Sequence, residues 1–137
     1  MQVPNILERL TETQNRHDAG AMAACFAPDY DSVQPVHPGR EFTGNEQVEA
    51  NWTAVFAGVP DFRAQLRASV VSGDQVWGEF DWSGHHTDGT TFAMRGVIIV
   101  TVRADLIAAA RLYMEPVEQV DEDIETAVQE LYRPPES

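Results

Sequence analysis

The sequence predicts an α+β domain in which a curved antiparallel, partly mixed β-sheet wraps around N-terminal helices. Three observations lead there. Segments with helical spacing come first, in the opening sixty residues. Four long segments with alternating polarity follow, from Phe62 to Met114. Short turn signals separate those four segments, which is the pattern of antiparallel hairpins. Helices followed by a run of strands is the element order of an α+β domain.

Taken in order, Pro4-Asn5 opens the first helix, with Asn5 as N-cap. Ile6, Leu7, Leu10 and Gln14 keep the helical spacing. His17-Asp18-Ala19-Gly20 breaks it, and Asp18 caps a short second helix through Phe26, ended by Ala27-Pro28-Asp29. Tyr30 to Gln34 is a short strand. Pro35 to Gly44, with two prolines and two glycines, is a loop. Asn45 to Phe56 is the clearest helix, because Val48, Trp52, Val55 and Phe56 form one apolar stripe. Gly58-Val59-Pro60 stops it. In the next strand Phe62, Ala64, Leu66, Ala68 and Val70 alternate with polar residues. Ser72-Gly73-Asp74, Thr87-Asp88-Gly89 and Ala104-Asp105 then divide the remaining strands. A last helix, Asp121 to Tyr132, carries Ile124, Val128 and Leu131 on one side. The domain is expected over residues 1–117, with residues 118–137 an acidic C-terminal helix and tail.

Composition limits what such a domain does. Hydrophobic residues make up 43% of 137 positions, enough for a core. The formal charge of −13 repels phosphate backbones and anionic lipid, which disfavours nucleic-acid and membrane partners. No apolar run reaches membrane-spanning length, and the N-terminus lacks the order of a secretory signal. A single cysteine, Cys25, allows no intrachain disulfide, and in its alanine-rich surroundings it reads as a small buried thiol. A cytoplasmic location is therefore expected.

The stretch WGEFDWSGHHTDGTTF, Trp77 to Phe92, holds the candidate chemistry. Val76, Gly78, Phe80 and Trp82 share one face of its strand; Trp77, Glu79, Asp81, Ser83 and His85 share the other. Glu79 and Asp81 thus lie on one side, roughly 7 Å apart. In a dry cavity two such carboxylates resist ionising together, so that one stays protonated while the other acts as base. On a solvent face they are ordinary acids, paired with a strand neighbour such as Arg67 or Arg95. His85 has the parity to join them as a proton carrier, or else is a surface histidine by a turn. His85 and His86 point to opposite faces and cannot jointly grip a metal, and no zinc, P-loop, dinucleotide or nucleophile-elbow spacing occurs. Any catalysis is expected to be acid–base work without metal or cofactor.

Four segments carry a family resemblance: Asn15 to Tyr30, Phe42 to Phe62, the Trp77–Phe92 strand pair and Val102 to Val117. Over residues 5 to 117 the chain resembles the nuclear-transport-factor-2-like, or SnoaL-like, superfamily, which includes ketosteroid isomerases, limonene epoxide hydrolases and SnoaL-type polyketide cyclases. The resemblance implies an α+β cone, with a ligand cavity between helices and concave sheet, and a homodimer through the opposite sheet face or its edge. It aligns Asp81 with the catalytic aspartate of the epoxide hydrolases, and so implies that the Glu79/Asp81 side faces the cavity. The pattern departs elsewhere. The hydrolase arginine is Glu79 here, and the second hydrolase aspartate is Leu112, after Arg111. The isomerase base is Gln34, before Pro35, and the isomerase tyrosine falls near Leu10.

The expected function is binding of a small apolar carbonyl-type ligand, with isomerisation, cyclisation or hydration by Asp81 as base and Glu79 or His85 as partner. The alternative is a ligand carrier or sensor, or a protein-interaction module, on the same fold. Trp52, Phe56, Trp77, Phe92, Met94, Leu112 and Met114 are expected to line the cavity, Gln34 to bond a ligand carbonyl and His37 to sit at the mouth. Arg111, Tyr113 and Glu115 have outer-face parity and are expected at an interface.

Overall fold

The computed structural model describes residues 5–132. Among them are four α-helices and six strands, and the strands build one mixed sheet. The helices are α1 (Ile6–Asn15), α2 (Ala19–Ala23), α3 (Asn45–Gly58) and α4 (Ile124–Tyr132). The strands are β1 (Phe26–Val33), β2 (Phe42–Thr43), β3 (Arg63–Ser72), β4 (Gln75–His85), β5 (Thr91–Arg103) and β6 (Leu106–Pro116), in the order β2-β1-β6-β5-β4-β3. β1 runs parallel to β6 and every other pair is antiparallel. This is the expected α+β cone.

Local chemistry explains the helix starts. Asn5 Oδ1 accepts from the backbone N–H groups of Leu7 and Glu8 at 2.9 and 3.0 Å, and its amide donates to Ser69 Oγ on β3, so one cap also pins α1 to the sheet. Asp18 caps α2 through Ala21 N–H. His17 makes the break between the two helices with φ 55°. Its Nε2–H donates to Phe62 O at 2.7 Å and its ring stacks on Phe56.

Five elements differ from expectation. The second helix stops at Ala23, and β1 starts at Phe26 rather than Tyr30, because Phe26 pairs with Ile107 of β6. Pro28 falls in the interruption of that ladder between Phe26 and Asp31, where its missing N–H leaves no bond unmade. The Pro35–Gly44 loop contains a 3₁₀ turn, Pro38–Arg40, and the short strand β2, which pairs with Asp31 and Ser32. In β3 the alternation inverts at a bulge between Leu66 and Ala68. Leu66 packs on the core, but Ala68 and Val70 turn outward, because one extra residue reverses every later side chain. The C-terminal helix starts at Ile124, after Asp123 accepts from Thr126 N–H.

The core lies between the inner sheet face and α1–α3. Leu7, Leu10, Met22, Val48, Phe62, Phe80, Val100 and Ile107 are among its buried members. Gly78 gives α1 its seat: a Cβ there would stand 2.6 Å from Leu7 Cδ1. No described helix is long and apolar enough to cross a membrane.

Candidate functional site

The inner face of β4 is the Val76, Gly78, Phe80, Trp82 face, and it points at the helices. A cavity of about 180 Å³ lies between it and α1–α3. Leu10 and Gln14 of α1, Asn51, Trp52 and Val55 of α3, Tyr30 and Ser32 of β1, Trp82 of β4, Ile98 and Val100 of β5 and Leu112 of β6 form most of its wall. The alternation of each strand brings these side chains to one side; the helical stripe of α3 supplies the lid.

The wall is mainly apolar, yet two of its residues carry buried polar atoms with no hydrogen-bond partner: Gln14 Oε1 and Trp82 Nε1. Gln14 is 1% exposed and Trp82 8%. One is an acceptor and the other a donor. Each unmet group costs about 1–3 kcal/mol unless something answers it. Burial pushes the Tyr30 phenol up to about 12; the Ser32 hydroxyl opposes part of that rise, and the Asp31 charge adds to it. Tyr30 is therefore a neutral O–H at physiological pH. Among the described residues, no Asp, Glu, His or Arg lines this cavity.

The carboxylate pair lies elsewhere. Glu79 and Asp81 are on the outer sheet face, so the expectation that their side faces the cavity does not hold. The face that packs under the helices is the one with Phe80 and Trp82, whose apolar bulk must be buried. Asp81, its side chain 17% exposed, accepts from Arg67 Nη1 at 2.7 Å and stands 3.0 Å from Arg95 Nε. The Arg95 approach lacks hydrogen-bond alignment, which leaves Asp81 Oδ1 without a bond partner and makes the contact Coulombic. The structure thus realises the salt-bridge alternative for Asp81, with both arginines. Around it an open cleft of about 470 Å³ is bordered by Arg63, Gln65, Ser83, Arg95 and Val117.

The other candidates divide. Gln34, Trp52 and Leu112 line the cavity. Gln34 Oε1 accepts from Arg40 at 3.1 Å. Phe56, Phe92, Met94 and Met114 pack in or against the core behind it, Phe92 against Phe62. Trp77 is on the outer face, 42% exposed. His85 Nδ1 lies 2.7 Å from Asp61 Oδ2, outside the cavity, and the hydrogen bonds from His85 hold the Asp61 carboxyl below its ordinary range. His37 Nε2 meets Glu115 Oε1 at 2.6 Å on the surface. Arg111, Tyr113 and Glu115 have the outer parity expected of them, opposite Ile99, Val97 and Arg95 of β5. Cys25 is half-buried, and burial raises its thiol pKa.

Sequence reasoning missed Gln14, Tyr30, Ser32, Asn51 and Trp82 as cavity residues. The one available signal was Gln14, a polar residue at an apolar-stripe position of α1. A polar side chain there is buried by construction and needs a partner.

Helices closing one face of a coiled mixed sheet over a small apolar cavity define a nuclear-transport-factor-2-like α+β cone. Within that class the chain belongs to the SnoaL-like domain family, which matches residues 7–110. Among solved structures it is similar to a ketosteroid isomerase-like protein from Catenulispora acidiphila in complex with trimethylamine. That likeness has TM-score 0.70 and 21% identity, over 80% of this chain and 85% of that one. It is also similar to a putative SnoaL-like polyketide cyclase from Jannaschia, with TM-score 0.68 and 17% identity over 95% and 91%. A third is a nuclear-transport-factor-2-like protein of unknown function from Exiguobacterium, with TM-score 0.67 and 22% identity over 84% and 100%. At these identities the likeness establishes the fold. A comparison with curated protein sequences finds no match.

Proposed function

We propose that the chain binds a small, neutral, largely apolar carbonyl or hydroxyl compound in the cone cavity, as a carrier or sensor. The observation that carries this reading is the pair of unpartnered buried atoms on an apolar wall, Trp82 Nε1 and Gln14 Oε1. A ligand carbonyl would accept from the indole N–H, and a ligand hydroxyl would answer the carboxamide oxygen. A charged ligand is disfavoured, because no ionised side chain on the described wall would repay its desolvation. The cavity volume, about 180 Å³, is below the ~300–1,000 Å³ of drug-sized sites and suits a small molecule.

The catalytic alternative, isomerisation, cyclisation or hydration, is supported by likeness to a putative polyketide cyclase. It needs a proton acceptor beside the ligand, and Asp81, Glu79 and His85 all lie outside the cavity wall. The carrier reading therefore has the better support.

The test compares cyclohexanone with methylcyclohexane, monitored by tryptophan fluorescence and native mass spectrometry. The ketone should bind on the order of 10-fold more tightly, and Trp82→Phe should remove most of that preference, the worth of about one hydrogen bond. Gln14→Met should weaken a matching alcohol instead. Equal binding of ketone and hydrocarbon would refute the polar pair. Turnover abolished by Asp81→Asn would favour the enzyme.

A further inference from the structure

Gln14 and Asn15 stand next to each other on α1 and carry the same group, a carboxamide, with opposite fates. Asn15 turns to β3, where its Nδ2–H donates to Ala64 O at 2.9 Å and its Oδ1 accepts from Ala64 N–H at 2.7 Å. Both ends of that amide are answered, and the last turn of α1 is fixed to the sheet. Gln14 turns to the cavity, buried, and its Oε1 has no partner. Along α1 the side-chain hydrogen bonds are made by Thr11, Thr13 and Asn15, and none engages Gln14 Nε2 among the described residues. Gln14 is thus a whole carboxamide, donor and acceptor together, held against a dry wall with nothing to bond.

An unmet buried polar group costs more than a typical hydrogen bond gains, and a ligand that answers both atoms removes the cost. The shape of the group says which ligand does so. The oxygen and nitrogen of a carboxamide stand side by side on one edge of a planar group, one accepting and one donating. Turning the group over exchanges them and leaves one donor and one acceptor on that edge. The complement is a ligand with an N–H and a C=O side by side. An open-chain secondary amide is trans and points the two to opposite sides, whereas an amide closed in a small ring is held cis and shows both to the same side.

We propose that the ligand class of the cavity is a small lactam, or another neutral amide with its N–H and C=O on one edge, paired to Gln14 by two parallel hydrogen bonds. This rests on the reading of the cavity as a site for a small neutral carbonyl compound. The ligand N–H would donate to Gln14 Oε1, and the ligand carbonyl would accept from Gln14 Nε2–H. A carbonyl oxygen has a second lone pair, which would take the Trp82 Nε1–H, the other unpartnered atom of the wall. A ketone answers Trp82 and leaves the Gln14 oxygen bare. A carboxylate has two acceptors and no donor, and it would bring a charge that no described wall residue meets. An amide is neutral at every physiological pH. Leu10, Val55, Ile98 and Val100 offer apolar surface to the ring methylenes. The site is also set before the ligand arrives, because α1 is tied to β3 at both ends, by Asn5 to Ser69 and by Asn15 to Ala64.

The test is a cycle of two ligands, 2-piperidone and cyclohexanone, and two proteins, the wild type and Gln14→Met, read by tryptophan fluorescence titration of the full chain. The two rings have the same size and the same carbonyl, and differ by an N–H in place of a CH₂ beside it. Comparing the effect of the substitution on each ligand cancels what each ligand loses on leaving water. Gln14→Met should weaken 2-piperidone on the order of 10-fold more than it weakens cyclohexanone. Methionine is close to glutamine in length and adapts to its surroundings, so the unliganded variant should keep its thermal midpoint or gain. Equal effects on the two ligands would overturn the proposal. So would a lower midpoint of the unliganded variant, because it would show that the carboxamide already has a partner within the chain. The carbonyl reading fails separately. It falls if cyclohexanone binds no better than methylcyclohexane; if the ketone keeps its Trp82-dependent preference and 2-piperidone is indifferent to Gln14, the amide assignment alone falls.

Discussion

Arg67 Nη1 donates to Asp81 Oδ2 at 2.7 Å, across the outer face of the sheet and away from the cone cavity. That one contact decides how the most chemically suggestive residue of the chain is used. Asp81 neutralises part of an arginine cluster that would otherwise repel itself. Asp81→Asn is predicted to lower stability by about 1 kcal/mol, because both arginine partners are half-exposed or more and screened by water. Ketone uptake should stay within about 2-fold of wild type. Chemical denaturation and fluorescence titration of the same sample check both parts.

The gap between expectation and structure is itself physical. The strand pattern around Asp81 was legible, including which residues share a face with it. Periodicity sorts side chains into two faces, but it does not say which face the helices cover. Counting apolar area favours the covered face, since Val76, Phe80 and Trp82 together hold more than Trp77 alone among Glu79, Asp81, Ser83 and His85. The bulge at Arg67 was not legible, because nothing in Leu66-Arg67-Ala68 signals an extra residue. The first and third helices, with the Asn5 cap and the Val48–Phe56 stripe, were readable because local propensity and tertiary packing agree there. The cavity residues come from eight different elements, and only the assembled cone brings them together.

Glycines in the strands should rank by what a methyl would meet. At Gly78 it would press on Leu7 Cδ1 and Leu66 Cδ1, two side chains packed in or against the core, and Gly78→Ala should cost about 1–3 kcal/mol. At Gly96 it would overlap the backbone carbonyl of Tyr113, which cannot rotate away. Gly96→Ala should therefore cost more than Gly78→Ala and force β5 and β6 apart. Gly58, the last residue of α3 with open space around it, is the control; Gly58→Ala should be neutral or stabilise by about 0.4–1 kcal/mol. Thermal midpoints of the three variants give the ranking directly, and a Gly96→Ala protein as stable as wild type would contradict the sheet register described above.

The Asp61–His85 contact predicts a feature of the acid limb. The Asp61 carboxyl is held below its ordinary value of 3.8, chiefly by the hydrogen bonds from His85. A depressed folded pKa contributes stability that is present above the unfolded value and is lost as pH falls through the folded one. Asp61→Asn should therefore lower stability at neutral pH, by a small amount since the site is exposed, and the difference from wild type should vanish as pH falls below the ordinary carboxylate range. Denaturant midpoints at pH 7 and through the acid range measure this. A loss of the same size at neutral and acid pH would show that the residue works by a route that does not depend on its charge.

Tyr30 governs the opposite limb. All nine basic residues are arginine, so no lysine titrates between the thiol and the guanidinium range. The Tyr30 phenol, pushed up to about 12 by burial, is then the main buried group that ionises at high pH. Its folded pKa lies above its unfolded value of about 10, so the unfolded chain releases the proton first. The stabilising difference is fully present below pH 10 and is lost as pH rises toward 12, at up to ~1.4 kcal/mol per unit. Tyr30→Phe keeps the ring contacts with Phe26 and Phe42 and removes the ionisation. The variant should match wild type within about 1 kcal/mol at pH 7 and should lose its stability over pH 10–12 much less steeply. If Tyr30→Phe and wild type fell together above pH 10, the alkaline transition would belong to another group, and the neutral, buried phenol on the cavity wall would have to be reconsidered.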